Sequence, residues 1–204
     1  CATCQEVLDH TLIAHRLAEH HRVRLPVIVN LDGFYLSFTR EPVEIPDAEA
    51  VDRFLPGFNP ETTRFHAGEP VSQAVVVLGS TPYSYFRYEN HLAALQGLPA
   101  YEEIAREFTA QFGREYHALE SYCSADAEFV LFMMGSFATK AKDAVDRMRE
   151  AGWKVGLIRP RLLRPFPDAP LRQALAGKRG VAVIDQNLSM GKGGVLHAEL
   201  SSAL

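Results

Sequence analysis

The sequence predicts an α/β fold built on a parallel sheet, and three observations predict it. Short apolar runs at Phe129–Met134, Val155–Ile158 and Val181–Ile184 alternate with amphipathic helical segments. Strand–helix–strand order of this kind implies parallel pairing through right-handed crossovers. A further run, Val27–Leu31, shows no polar alternation, the pattern of a strand buried on both faces. Glycines close the pieces: Gly135 follows the first of the three strands and Gly152 the helix after it.

In chain order, residues 5–21 form a helix, with Val7, Leu8, Leu12, Ile13 and Leu17 at near-helical spacing. Thr3 caps it, with Glu6 three residues on. Val27–Leu31 ends at the turn signal Asp32-Gly33. One helix cannot cover such a strand, so its sheet partners are expected before Cys1 and the chain reads as an excerpt of a longer polypeptide. Residues 41–70, rich in Pro and Gly, form a crossing segment interrupted by a short helix near Asp47–Phe54. Val75–Ser80 resembles a strand, although Thr81-Pro82 follows at once.

Leu92–Leu98 and Tyr101–Leu119 read as two helices, the second with a stripe of Ile104, Phe108, Phe112, Tyr116 and Leu119. Residues 137–150 form a helix with Ala138, Ala141, Val145 and Met148 inward, and Leu171–Ala176 a short one. Asp185 stands at the carboxyl end of the last strand, and Gly191–Gly194 leads into a final helix from Val195. The chain divides into residues 1–60, a linker with helices at 61–124, and a second domain at 125–204 that is incomplete at its end.

Composition excludes several classes. Lys plus Arg is 21 and Asp plus Glu 25, a net charge of -4, so no basic field invites nucleic acid. With 47% apolar and 23% charged residues, the chain is an ordinary globular one. No apolar run reaches the ~18 residues of a membrane span. Cys1 and Cys4 form one CxxC and Cys123 stands alone, too few for a four-ligand zinc or iron–sulfur site. Sparse cysteine suggests a reducing cytoplasm. The eight histidines show no HExxH and read as surface residues. Neither GxSxG nor a paired-carboxylate signature supports hydrolysis.

Ligands on parallel sheets gather beyond the carboxyl ends of strands. Three loops lie there. Asp185, Asn187, Ser189, Gly191, Lys192, Gly193 and Gly194 belong to a glycine-rich loop that enters a helix. Its backbone N–H groups could receive an anion, or the loop could dock a neighbouring domain. Arg159, Arg161 and Arg164 follow a strand and could clamp an oxyanion or tie domains together by ion pairs. Asp32 and Gly33 form a turn, with Phe34 and Tyr35 available to stack on a ligand or a partner chain.

Several strings in order resemble one family. QEVLDHTLIAHRLAEHHRVRLPVIVNLDGFYLSFTREPVEI resembles the end of the pyrimidine-binding domain of 2-oxoacid:ferredoxin oxidoreductases, whose type member is pyruvate:ferredoxin oxidoreductase. ADAEFVLFMMGSFATKAKDAVDRMREAGWKVGLIRPRLLRPFPDAPL resembles the domain that follows, with a transketolase C-terminal-like three-layer αβα fold. VIDQNLSMGKGG is similar to that domain's last strand and loop, and EEIAREFTAQFGREYHALESY fits the linker.

The resemblance implies an alpha-type subunit of an enzyme that oxidatively decarboxylates a 2-oxoacid to acyl-CoA. It implies thiamine diphosphate, Mg²⁺, CoA and [4Fe-4S] clusters for the holoenzyme, with none held by this chain alone. It implies a beta subunit that holds the diphosphate, gamma and ferredoxin-like delta subunits or fused equivalents, and ferredoxin as acceptor. The glutamate that activates thiamine, and the Thr and Arg that bind the substrate carboxylate, are expected upstream of Cys1. Asp32, Gly33 and the residues of the arginine and glycine-rich loops are the cofactor-facing candidates. The alternative is a structural docking module of a transketolase or 2-oxoacid dehydrogenase type complex. One departure stands out: the family commonly has Ser-His after the DGF loop, and this chain has Ser37-Phe38, which admits a bulkier 2-oxoacid.

Overall fold

A computed structural model describes residues 1–204 apart from 56, 58–65 and 72–80. The strand expected at Val75–Ser80 lies outside the described residues. Among the described residues, six helices and four strands follow one another: α1 (Cys4–Glu19), α2 (Ala48–Phe54), α3 (Thr81–Phe112), β1 (Leu119–Tyr122), β2 (Phe129–Phe132), α4 (Phe137–Glu150), β3 (Val155–Pro160), α5 (Asp168–Leu175), β4 (Gly180–Val183) and α6 (Val195–Ala203). The sheet runs in the order β1-β3-β2-β4. β2 lies parallel to β3, Phe129 opposite Val155, and parallel to β4, Phe129 opposite Gly180. β1 pairs antiparallel with β3, Leu119 opposite Pro160.

The predicted α/β class and three-layer arrangement hold. One face of the sheet packs Val130, Phe132 and Ile158 against Leu171 and Leu175 of α5 and Leu196 and Leu200 of α6. The other packs Val155 and Leu157 against Ala138, Ala141 and Val145 of α4. Fully burying one such large side chain contributes roughly 1.5–3 kcal/mol. Gly152 adopts the left-handed conformation that ends α4. Met148, expected inward, is 38% exposed because it lies beyond the strip that α4 lays on the sheet.

A separate helical core joins α1, α2 and α3 through Ile13, Leu17, Phe54, Tyr101, Ile104 and Phe108. The two helices expected at 92–98 and 101–119 are one helix that runs through Pro99 and stops at Phe112, where Gly113 takes a φ of 74°. Tyr116 still packs into this core but lies beyond the helix, and Leu119 packs instead against the sheet and opens an antiparallel strand absent from the sequence reading. Val27–Leu31 belongs to no strand, and Ile28 is 86% exposed. Nothing among the described residues offers it a ladder, and a strand without hydrogen-bonded neighbours has no sheet to be buried in.

Candidate functional site

α1 presents an unusual inner face. Thr3 caps it by accepting from the Glu6 backbone N–H at 3.1 Å. Glu6, Asp9, His10, Ile13 and Leu17 then fall on one side, at i, i+3, i+4, i+7 and i+11. Two carboxylates therefore point into the molecule, Glu6 only 4% exposed and Asp9 fully buried.

Each finds cations. Glu6 Oε2 accepts from Arg159 Nη1 at 3.0 Å and Oε1 from Arg159 Nη2 at 2.8 Å and Arg161 Nε at 2.6 Å. Glu120 on β1 takes the other edge of the same arginines, from Arg159 Nε at 2.7 Å and Arg161 Nη2 at 3.0 Å, and pairs with Lys142 of α4. Arg161 Nη1 donates to the His117 carbonyl at 3.0 Å, and its guanidinium lies 5.1 Å from the Tyr116 ring centre. Asp9 accepts from Arg114 at 2.6 and 2.9 Å and from the Tyr116 hydroxyl at 2.6 Å.

Burial alone would raise the Glu6 pKa, but hydrogen bonds and charge from Arg159 and Arg161 prevail and hold it far below the usual carboxylate range. Glu120 is lowered on the same balance, burial opposing Arg159, Lys142 and Arg161. His10 Nδ1 lies 3.0 Å from the Glu6 carbonyl, which can only accept, so Nδ1 carries the proton. Its Nε2 then accepts from the Tyr101 hydroxyl at 2.9 Å. Burial pulls the His10 pKa down to about 4, so the ring is neutral.

Beside this cluster opens a cleft of about 730 Å³. α1, α3 and residues 23–33 form one wall; Leu162–Pro165 and Ile184–Asn187 form the other. The structure brings Asp32, Gly33, Arg161, Arg164, Asp185 and Asn187 to it. Arg159 instead lies in the buried cluster. Ser189, Gly191, Lys192, Gly193 and Gly194 sit outside the cleft lining, in a loop closed by a Ser189–Gly193 bridge.

The donors and acceptors of these residues are largely spoken for. The Asp32 carboxylate accepts from the Ser136 backbone N–H at 2.6 Å, at the start of α4. Asp185 accepts from Asn187 N at 3.0 Å and Leu196 N at 2.7 Å, at the start of α6. Both helix N-termini thus carry an internal carboxylate, and at α6 it takes a place that an external anion could have filled in the glycine-rich loop. Arg164 makes a two-pronged pair with Glu199 at 3.0 and 2.7 Å on the rim. The Phe34, Tyr35 and Phe38 rings are exposed, with Phe34 stacked on Phe38 and Tyr35 edge-on to Phe137.

The sequence reading missed Glu6, Asp9, His10, Arg114 and Glu120. A signal existed: polar residues on the same helical face as Ile13 and Leu17 have to be buried with them. What could not be seen was which distant arginine would meet them.

Residues 1–107 match the family described as "Pyruvate flavodoxin/ferredoxin oxidoreductase, thiamine diP-bdg". The chain belongs to this family. Residues 127–204 match "Pyruvate:ferredoxin oxidoreductase core domain II", so the oxidoreductase resemblance of both halves stands. Pyruvate synthase subunit PorA of Methanothermobacter thermautotrophicus is 40% identical over 200 residues, covering 98% of this chain and 52% of that protein. The alpha subunit of the NADH-dependent phenylglyoxylate dehydrogenase of Aromatoleum evansii is 39% identical over 198 residues, covering 92% of this chain and 47% of that one. A 2-oxoglutarate:ferredoxin oxidoreductase structure from Magnetococcus marinus aligns with a TM-score of 0.44 and 18% identity over 62% of this chain and 19% of its own. The chain spans about half the length of the curated relatives it matches.

Proposed function

We propose that this chain is part of the alpha component of a thiamine-dependent 2-oxoacid:ferredoxin oxidoreductase. The assembly oxidatively decarboxylates a 2-oxoacid, pyruvate first among them, to an acyl-CoA and passes the electrons to ferredoxin. The observation that carries this reading is the succession of two matches along one chain, thiamine-binding at 1–107 and core domain II at 127–204. The proposed division into 1–60, 61–124 and 125–204 follows the same order.

The described residues do not fit a complete thiamine diphosphate site. The carboxylates lining the cleft are Asp32 and Asp185, and both are engaged by backbone N–H groups. Glu6 is committed to arginines. Mg²⁺ and the [4Fe-4S] clusters are assigned to partner subunits in this proposal. Beta, gamma and ferredoxin-like delta subunits, or fused equivalents, are the partners proposed. Arg164, Asn187 and Lys192 keep exposed side chains and are assigned to interface or CoA-proximal contacts.

A docking role for the same loops is favoured by one observation: Arg159 and Arg161 spend their donors inside the chain. The cytoplasm is the proposed location; among the described residues no helix is long and apolar enough to cross a membrane. The test is the purified assembly with its cognate subunits, assayed for CoA-dependent dye reduction with pyruvate and with an aryl 2-oxoacid. Reduction with either is expected, and none with any 2-oxoacid would overturn the proposal. Substituting Arg164 and Lys192 then separates the two roles: weaker assembly at unchanged CoA affinity marks docking.

A further inference from the structure

Among the described residues, three of the seams between the two matched regions lie beside the cleft. Glu6 of α1 grips Arg159 and Arg161 at the end of β3, with Glu120 and Lys142 closing the cluster behind them. Asp32 is fastened to the Ser136 backbone N–H. Pro165 lies so close to α3 that a Cβ on Gly97 would stand 3.2 Å from its Cδ. These seams tie the two walls of the cleft to one another.

We propose that Glu6, through its paired hold on Arg159 and Arg161, makes a fixed joint between the two matched regions and sets the width of the cleft between them. The geometry favours a joint over a hinge. A hinge needs residues free to take up large φ/ψ changes, whereas Glu6 and Arg159 are each 4% exposed and held by several charged hydrogen bonds. Two guanidinium groups meet two carboxylates, so sliding by one residue would strand a buried charge, the costly outcome for an ion pair. Opening elsewhere in the assembly therefore moves α1 and β3 together. The inference concerns these residues alone and does not rest on the activity.

Hydrogen exchange of the holoenzyme tests it. Glu6→Gln is expected to speed exchange in α1 and at the β1–β3 ladder by about tenfold, with the β2–β4 ladder within about twofold of the unsubstituted protein. Thr3→Ala removes only the helix cap and is expected to leave the β1–β3 ladder unchanged. Arg161→Lys keeps the charge but loses the fork, and serves where Glu6→Gln fails to fold; it is expected to loosen the same two elements. Unaltered exchange in Glu6→Gln, or in Arg161→Lys where that variant stands in for it, would overturn the joint, as would a Thr3→Ala profile matching that of the cluster variant. Failure of the unsubstituted holoenzyme to turn over any 2-oxoacid would count against the proposed function and leave the exchange result standing.

Discussion

Gly135 shows how closely the two regions are fitted. Its φ is 81°, and an added Cβ would stand 3.0 and 3.1 Å from the two Asp32 carboxylate oxygens. Gly177 has a similar φ of 75° but open space around it. Gly177→Ala is expected to cost only the left-handed penalty of about 1–2 kcal/mol. Gly135→Ala carries the same penalty plus displacement of Asp32, and is expected to lose about 1 kcal/mol more in urea unfolding. Asp32→Ala should abolish the difference between the two glycine variants. At this scale the sequence was partly legible. Asp32-Gly33 and Gly135-Ser136 were each visible as turns, but that one turn would cap the helix of the other depends on a contact 104 residues apart.

Local patterning carried furthest at the scale of elements. β2, α4, β3 and β4 declare themselves because their partners lie within the same stretch and each apolar run is bounded by glycine or proline. Leu171 of α5 is fully buried against that sheet. Leu171→Ala is expected to cost roughly 2–5 kcal/mol in denaturant unfolding. Leu188→Ala, at a side chain 69% exposed, should stay within about 0.5 kcal/mol. β1 escaped notice because Leu119-Glu-Ser-Tyr122 has no apolar run; its pairing with β3 and the Glu120 ion pairs define it. Val27–Leu31 failed for the opposite reason. Its composition announces a buried strand, and burial is a property of neighbours rather than of the run itself.

Protons act on the molecule as a whole. His10 has a folded pKa of about 4 against an ordinary 6.5, so between those values the unfolded chain takes up a proton that the folded chain refuses. Stability therefore falls as pH drops through that window. His20, also lowered by burial, acts in the same sense. His117, raised by hydrogen bonds to Glu115 and Glu102, acts oppositely, its contribution fading as pH rises. Glu6 and Glu120 add stability that is present above the ordinary carboxylate value of 4.5 and is lost as pH falls below it. Facing His10 are the Glu6 carbonyl, the Tyr101 hydroxyl and the Tyr116 ring, with the Glu6 and Arg161 charges acting on it. Urea midpoints measured from pH 7 to 3 should thus decline in two stages. His10→Gln, which keeps a donor and an acceptor, is expected to flatten the upper stage and spare the lower. Asp32 and Asp185, each seated on the first turn of a helix, have a practical corollary for handling the protein. Each of those turns already holds a carboxylate from within, so neither backbone N–H is expected to add an anchoring point for the protein on a phosphocellulose column.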